Sequence, residues 1–154
     1  MTIGIILHSH TGNTLSVGER IKASLLAGGD EVHLERVTAF NEDPNAKEAV
    51  RLKSIPDISR YDYVVIGAPV RAFSLSPVMS AYLAQLPEMS GKKVACFVTQ
   101  YFPKPWMGGS RALKQMISIL SRRGGKVAVT GTVNWTNKAR EEQINDLLVK
   151  LGRI

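Results

Sequence analysis

Within the six residues Ser9-His10-Thr11-Gly12-Asn13-Thr14 stand two threonines, a serine, an asparagine and a glycine. The run follows the apolar segment Ile3-Gly4-Ile5-Ile6-Leu7 and opens a helical pattern. The free N–H groups of that helix's first turn and the positive end of its dipole therefore meet at the loop. Small hydroxyl side chains add donors without blocking approach, and Gly12 lets the backbone turn closely around an anion. A plain strand-to-helix turn accounts for one capping hydroxyl, not for four donor-bearing side chains in six positions. The segment is read as a phosphate-binding loop. It lacks the Gly-Lys-Ser/Thr ending of a P-loop and is not a Gly-x-Gly-x-x-Gly dinucleotide turn. A cationic His10 would add charge to a phosphate contact; an exposed or helix-packed ring is an equal alternative. Neither His8 nor His10 is read as catalytic.

Alternating strand and helix signals must position this loop. The first strand, residues 3–7, is a short continuous apolar run of the kind covered on both faces. The spacing of Val17, Ile21 and Leu25 predicts a helix over Asn13–Ala27, stopped by Gly28-Gly29. Val32 and Leu34 alternate with polar residues as in a half-exposed edge strand, and a short helix is expected around Ala46–Lys53 after Pro44. Residues 63–68 form the most apolar strand. Ser76-Pro77 reads as an N-cap with proline in the first helical position, and Met79, Tyr82, Leu83 and Leu86 supply that helix's apolar face. A fourth strand runs from Lys93 to Thr99, then a helix with Leu113, Met116, Ile117 and Leu120 on one face, stopped by Gly124-Gly125. Residues 127–130 are the fifth strand. The last helix carries Ile144, Leu147, Leu148 and Leu151, with Glu141 and Glu142 in its first turn. Five strands alternating with five helices predict one α/β domain over residues 1–154, a doubly wound parallel sheet with helices on both faces. For strand order 2-1-3-4-5 the ligand lies beyond the carboxyl ends of the first and third strands, so the loops after the first, third and fourth strands carry the site.

Composition narrows the class. The chain has 154 residues, a formal charge of +7, one cysteine and three histidines. No run is long and apolar enough for a membrane span, and the N-terminus has no basic lead of a signal peptide, so a cytoplasmic location is expected. Cys96 lies in the apolar run 94–98 and reads as a buried, inert thiol; no metal-ligand spacing occurs. The positive balance favours acidic partners. The densest basic cluster is Arg111, Lys114, Arg122, Arg123 and Lys126, but no nucleic-acid motif stands out. Asn134-Trp135-Thr136 matches a glycosylation sequon by chance. The loop after the first strand has no acidic pair and no opening cysteine, which excludes phospho-receiver and cysteine-phosphatase chemistry.

Ser-x-Thr-Gly-Asn-Thr after an apolar first strand resembles the FMN phosphate loop of the flavodoxins, and the chain's length and element order are similar to those of the short-chain members. The resemblance implies a flavodoxin-like fold and FMN as cofactor, its phosphate held by Ser9, His10, Thr11, Gly12, Asn13 and Thr14. It implies that Pro69, Val70, Arg71, Ala72 and Phe73 wrap one side of the flavin ring, with Phe73 either on the ring or in the adjacent core. It assigns the other side to the loop beginning at Thr99, Gln100 and Tyr101 and continuing through Trp106 to Gly108 and Gly109. Three of the chain's ten Phe, Tyr and Trp residues fall in that loop, and surface aromatics call for a ligand or partner to cover them. Tyr101 and Trp106 are the stacking candidates; Phe102 is expected to pack into the core.

The chain departs from the flavodoxin pattern in three places. Leu7 stands where many members have an aromatic, and Gly18 where the first helix usually has alanine. Flavodoxins that shuttle single electrons are acidic around the flavin, whereas this chain places Arg71 and Lys104 in the ring-flanking loops. A cation near flavin N1 stabilises the reduced anion by roughly 1 kcal/mol or more where solvent is excluded. The resemblance thus implies an electron-transfer protein needing no catalytic side chain, serving an acidic, ferredoxin-like protein or a small-molecule acceptor. An FMN-dependent NAD(P)H:quinone or nitro-compound oxidoreductase is the alternative. Nucleic acid and membrane are not expected partners.

Overall fold

In the computed structural model, residues 1–43, 47–102 and 108–154 are described. The elements are β1 (Thr2–Leu7), α1 (Asn13–Ala27), β2 (Glu31–Arg36), β3 (Thr38–Ala39), β4 (Leu52–Ser54), β5 (Tyr63–Arg71), β6 (Ser74–Leu75), α2 (Pro77–Ala84), β7 (Lys93–Gln100), α3 (Gly109–Arg122), β8 (Lys126–Asn134) and α4 (Arg140–Leu151). The main sheet runs β2-β1-β5-β7-β8, with β6 added antiparallel to β5. All four pairings along that order are parallel, which is the expected 2-1-3-4-5 winding.

Strand alternation divides the core between the two faces of the sheet. Ile3, Ile5, Leu7, Tyr63, Val65, Ala95 and Phe97 pack with Val17, Ile21 and Leu25 of α1 and Ile144, Leu147 and Leu151 of α4. Ile6, Val64, Ile66, Val94, Cys96 and Val98 pack with Met79, Tyr82 and Leu83 of α2 and Ala112, Met116 and Leu120 of α3. Cys96 is fully buried, and burial pushes its thiol up to about 12, so it is a packing residue. Ser76 caps α2 by accepting the Met79 N–H at 3.2 Å, with Pro77 at its start.

Three differences from the sequence reading concern the connections. The described residues hold four helices rather than five. Where a helix is expected near residues 46–53, residues 47–51 are irregular and Leu52–Ser54 pairs antiparallel with Thr38–Ala39. Ile55-Pro56 follows directly, and proline biases the residue before it toward extended backbone. β5 also extends three residues past the expected end and folds back through Ala72 and Phe73 into β6. Both turn residues have positive φ, 49° and 62°, as a two-residue type I′ hairpin requires. Neither is the Asn or Gly that signals such a turn in a sequence. β8 likewise runs four residues further, to Asn134. Asn134 is buried there, so the sequon is no modification site.

Candidate functional site

The loops after β1, β5 and β7 meet at the carboxyl edge of the sheet, where the strand order reverses between β1 and β5. A cleft of about 390 Å³ opens among them, lined by His10, Thr11, Asn13, Pro69, Val70, Arg71, Thr99, Gln100, Tyr101 and Trp135. Nine of these ten were candidates from sequence; Trp135 was not.

The first loop turns sharply from β1 into the N-terminus of α1. The His8 N–H donates to the Gly67 carbonyl at 3.1 Å, fixing the chain's exit from β1. Gly12 caps α1 in the left-handed region (φ 96°), and nothing lies within 4 Å of where its Cβ would be. No acidic residue stands in the first turn of α1, so nothing opposes the dipole there. Thr11 is exposed and Asn13 half-buried on the cleft wall. Ser9 and Thr14 are buried behind it. Ser9 Oγ accepts the Leu15 N–H at 3.2 Å, while Thr14 Oγ1 lies 2.7 Å from Thr99 Oγ1, tying α1 to the end of β7. Arg36, which sequence reasoning passed over, donates to the Ser9 carbonyl at 3.1 Å and brings a permanent cation to the loop. Its position at the end of β2, next to β1, was the available signal.

Directly under this loop, His8 is 3% exposed. Its Nδ1 is 2.9 Å from Ser76 Oγ and its Nε2 is 2.6 Å from Glu42 Oε1. Because the Glu42 carboxylate can only accept, a neutral His8 carries its ring proton on Nε2, and the Ser76 hydroxyl donates to Nδ1 while its oxygen accepts the Met79 N–H. Burial holds the His8 pKa below the ordinary value, outweighing the Glu42 hydrogen bond and charge; Arg71 and His10 push it the same way as burial. Burial pushes Glu42 up, but hydrogen bonds from His8 and the Ala39 N–H outweigh it and hold the carboxyl low. The chain Ser76–His8–Glu42 has the composition of a hydrolase triad without its use, since Ser76 is wholly buried and serves as a helix cap.

The aromatic side of the cleft differs from expectation. Phe73 is 57% exposed, Tyr101 68% and Phe102 44%. Phe102 therefore does not pack into the core: it stacks on Phe73, with ring centroids 6.1 Å apart and planes 7° from parallel. Tyr101 meets Phe102 edge-on. The tip of the β5–β6 hairpin, Ala72 and Phe73, is exposed, so Phe73 is not a core residue. Gly108 and Gly109 are buried supports. A Cβ at Gly108 would lie 2.7 Å from Phe73 Cα, and one at Gly109 would lie 2.8 Å from Gln100 Oε1. Gln100 Nε2 donates to the Phe102 carbonyl at 3.1 Å and to Asn134 Oδ1, linking the ends of β7 and β8. This is how Trp135, one residue past β8, reaches the cleft; the Arg140 guanidinium lies 4.6 Å from its ring centroid. Trp106 and Lys104 lie outside the described residues.

Neither a protein-family model nor a curated protein sequence matches the chain. Solved structures do match. The two-electron reduced flavodoxin of Megasphaera elsdenii superposes with a TM-score of 0.72 at 20% identity, covering 99% of both chains. Oxidised flavodoxin 2 of Bacillus cereus gives 0.71 at 19% identity, also over 99% of both. A flavoprotein from Lactobacillus acidophilus, solved in complex with FMN, gives 0.65 at 17% identity over 95% of this chain and 97% of that one. The fold is flavodoxin-like α/β. Among the described residues no helix is long and apolar enough to cross a membrane, and no cluster of three or more His, Cys, Asp or Glu is placed to hold a metal.

Proposed function

We propose that the protein binds FMN without a covalent link and transfers electrons through it. One observation carries this reading: a cap with positive φ, small donors and no acid opens α1 at the switch point of a flavodoxin-like sheet, facing a cleft with aromatics at its rim. The donor set fits a phosphate monoester, with Thr11, Asn13 and the N–H groups at the start of α1 to hold it and Arg36 and Arg71 to supply charge. Tyr101 and Trp135 line the same cleft and would offer aromatic faces to the flavin ring. FMN, when bound, supplies the reversible uptake of electrons. The chain's own part is to seat the phosphate, exclude water from one ring edge and set the charge around it.

Arg71 lines the cleft, so the field at the ring is positive on that side. This favours a carrier of moderate potential over a very low-potential donor. The test is reconstitution. The purified protein should take up added FMN in a one-to-one complex whose yellow absorbance is released on denaturation; a protein that stays colourless sinks the proposal. Adding NADPH and a quinone to the loaded protein tells the two redox readings apart, since turnover without another reductase would replace the carrier with an oxidoreductase.

A further inference from the structure

Three of the five residues in the densest basic cluster of the sequence share one surface. Arg111, Lys114 and Arg122 line one groove of about 670 Å³ between α2 and α3, together with the hydroxyl residues Ser80, Ser110 and Ser118. Residues 111, 114, 118 and 122 recur at helical spacing on one face of α3. At 1.5 Å per residue the cations span about 17 Å along the helix. Neither α2 nor α3 contains an Asp or Glu. Among the described residues, none of the three cations has a salt-bridge partner; Arg122 donates to Ser118 Oγ at 2.8 Å.

The groove is tied to the cofactor cleft. Gln115 in its lining accepts from Ser74 Oγ at 3.1 Å and from the Leu75 N–H at 2.9 Å, which holds α3 to the hairpin at the cleft's lip. The helix begins at Gly109, packed against Gln100 of the cleft wall.

Resting on the reading of the cleft as a redox site, we propose that the α2–α3 groove is the docking surface for an acidic electron-carrier protein that presents a row of carboxylates. Cations strung in a line fit an extended acidic ridge, whereas a phosphate or nucleotide needs cations that converge on one point. A redox protein is also the macromolecule with reason to approach the neighbouring cleft. Such a stripe steers the partner from a distance and sets its orientation more than it adds affinity.

The test is binding of a plant-type [2Fe–2S] ferredoxin, itself strongly acidic, to the FMN-loaded protein by calorimetry at roughly 10 and 150 mM salt. The unaltered protein should bind at low salt and weaken about tenfold or more at the higher salt. R111E/K114E/R122E should weaken low-salt binding about tenfold or more and lose most of the salt dependence, with R111Q/K114Q/R122Q in between. The flavin spectrum and FMN affinity of both variants should be unchanged. A charge-reversed variant that keeps full, salt-sensitive ferredoxin binding overturns the proposal. So does a duplex DNA probe that binds more tightly than ferredoxin and is lost in the same variant. FMN uptake is scored separately: a protein that takes up no flavin but binds ferredoxin through the stripe defeats the carrier reading and leaves the surface standing.

Discussion

The side chain of Leu7 fills the space that a β-carbon at Gly18 would need, with Leu7 Cδ1 the nearest atom. Leu7 also lies against Gly67 on β5, so it sits in a slot made by two glycines. Two departures from the flavodoxin pattern that look independent in sequence meet at one packing contact. Gly18→Ala should therefore destabilise the protein by about 1–3 kcal/mol through overpacking, although alanine is the better helix former by about 1 kcal/mol. In a Leu7→Val background the same substitution should cost much less. A double-mutant cycle by urea denaturation reads the coupling; equal costs in both backgrounds would mean the two residues are independent.

Thr11 and Thr14 separate ligand contact from packing. Thr11 is exposed at the cleft, so Thr11→Ala should weaken FMN binding by about 1.5–3 kcal/mol, the range for a hydrogen bond to a charged group, with the melting temperature of the flavin-free protein unchanged. Thr14 is buried against Thr99. Thr14→Ala should lower flavin-free stability by about 1 kcal/mol and weaken FMN less than Thr11→Ala does. Fluorescence titration of FMN beside thermal unfolding gives both readouts, and full affinity in both variants would move the phosphate elsewhere.

Two buried tyrosines should respond oppositely to loss of their hydroxyls. Tyr82 Oη donates to the Pro56 carbonyl at 2.6 Å, whereas Tyr63 Oη is buried with no hydrogen-bond partner among the described residues. Tyr82→Phe leaves a buried carbonyl unpaired and should cost about 1–3 kcal/mol. Tyr63→Phe removes an unsatisfied group at constant shape and should leave stability unchanged or raise it by about 1 kcal/mol. Denaturant midpoints check the signs. A large loss in Tyr63→Phe would show that its hydroxyl has a bound partner in solution.

These contrasts show which parts of the molecule local sequence specifies. Helix α1 was legible to the residue because Gly12 and Gly28-Gly29 punctuate a clean four-residue apolar spacing. The cap at Ser76-Pro77 was legible for the same reason: the side chain that makes the structure is the one that marks it. The β5–β6 hairpin was not, because Ala72 and Phe73 hold left-handed backbone against their own preference. What supports them comes from afar, through Phe102 and the close approach of Gly108. Trp135 and Arg36 were missed because they reach the site across the sheet, from strands whose following loops carry no motif. Glu42 likewise gains its meaning only from His8, 34 residues away.

That His8–Glu42 contact makes the foundation of the β1–α1 loop sensitive to pH. His8 is neutral in the folded state with its pKa depressed by burial. As pH falls below about 6.5, the ordinary histidine value, the unfolded chain takes up a proton that the folded chain refuses. The unfolded state then binds more protons, so stability declines with falling pH until the folded pKa is reached. Glu42 adds the same sign lower down: its pKa is also depressed in the folded state, so its contribution is present above the ordinary carboxylate range and is lost as pH drops through the folded value. The unfolding free energy at pH 7.5 should therefore exceed that at about pH 5.5, and His8→Gln should shrink that difference while lowering stability at both pH values, because Ser76 and Glu42 lose their shared partner. Glu42→Gln provides the control: it keeps a hydrogen-bond acceptor for Nε2 but removes the charge that favours protonation, so the pH 5.5 penalty should grow. Urea titrations of the three proteins decide the matter, and an unaltered pH dependence in His8→Gln would place the titrating group elsewhere.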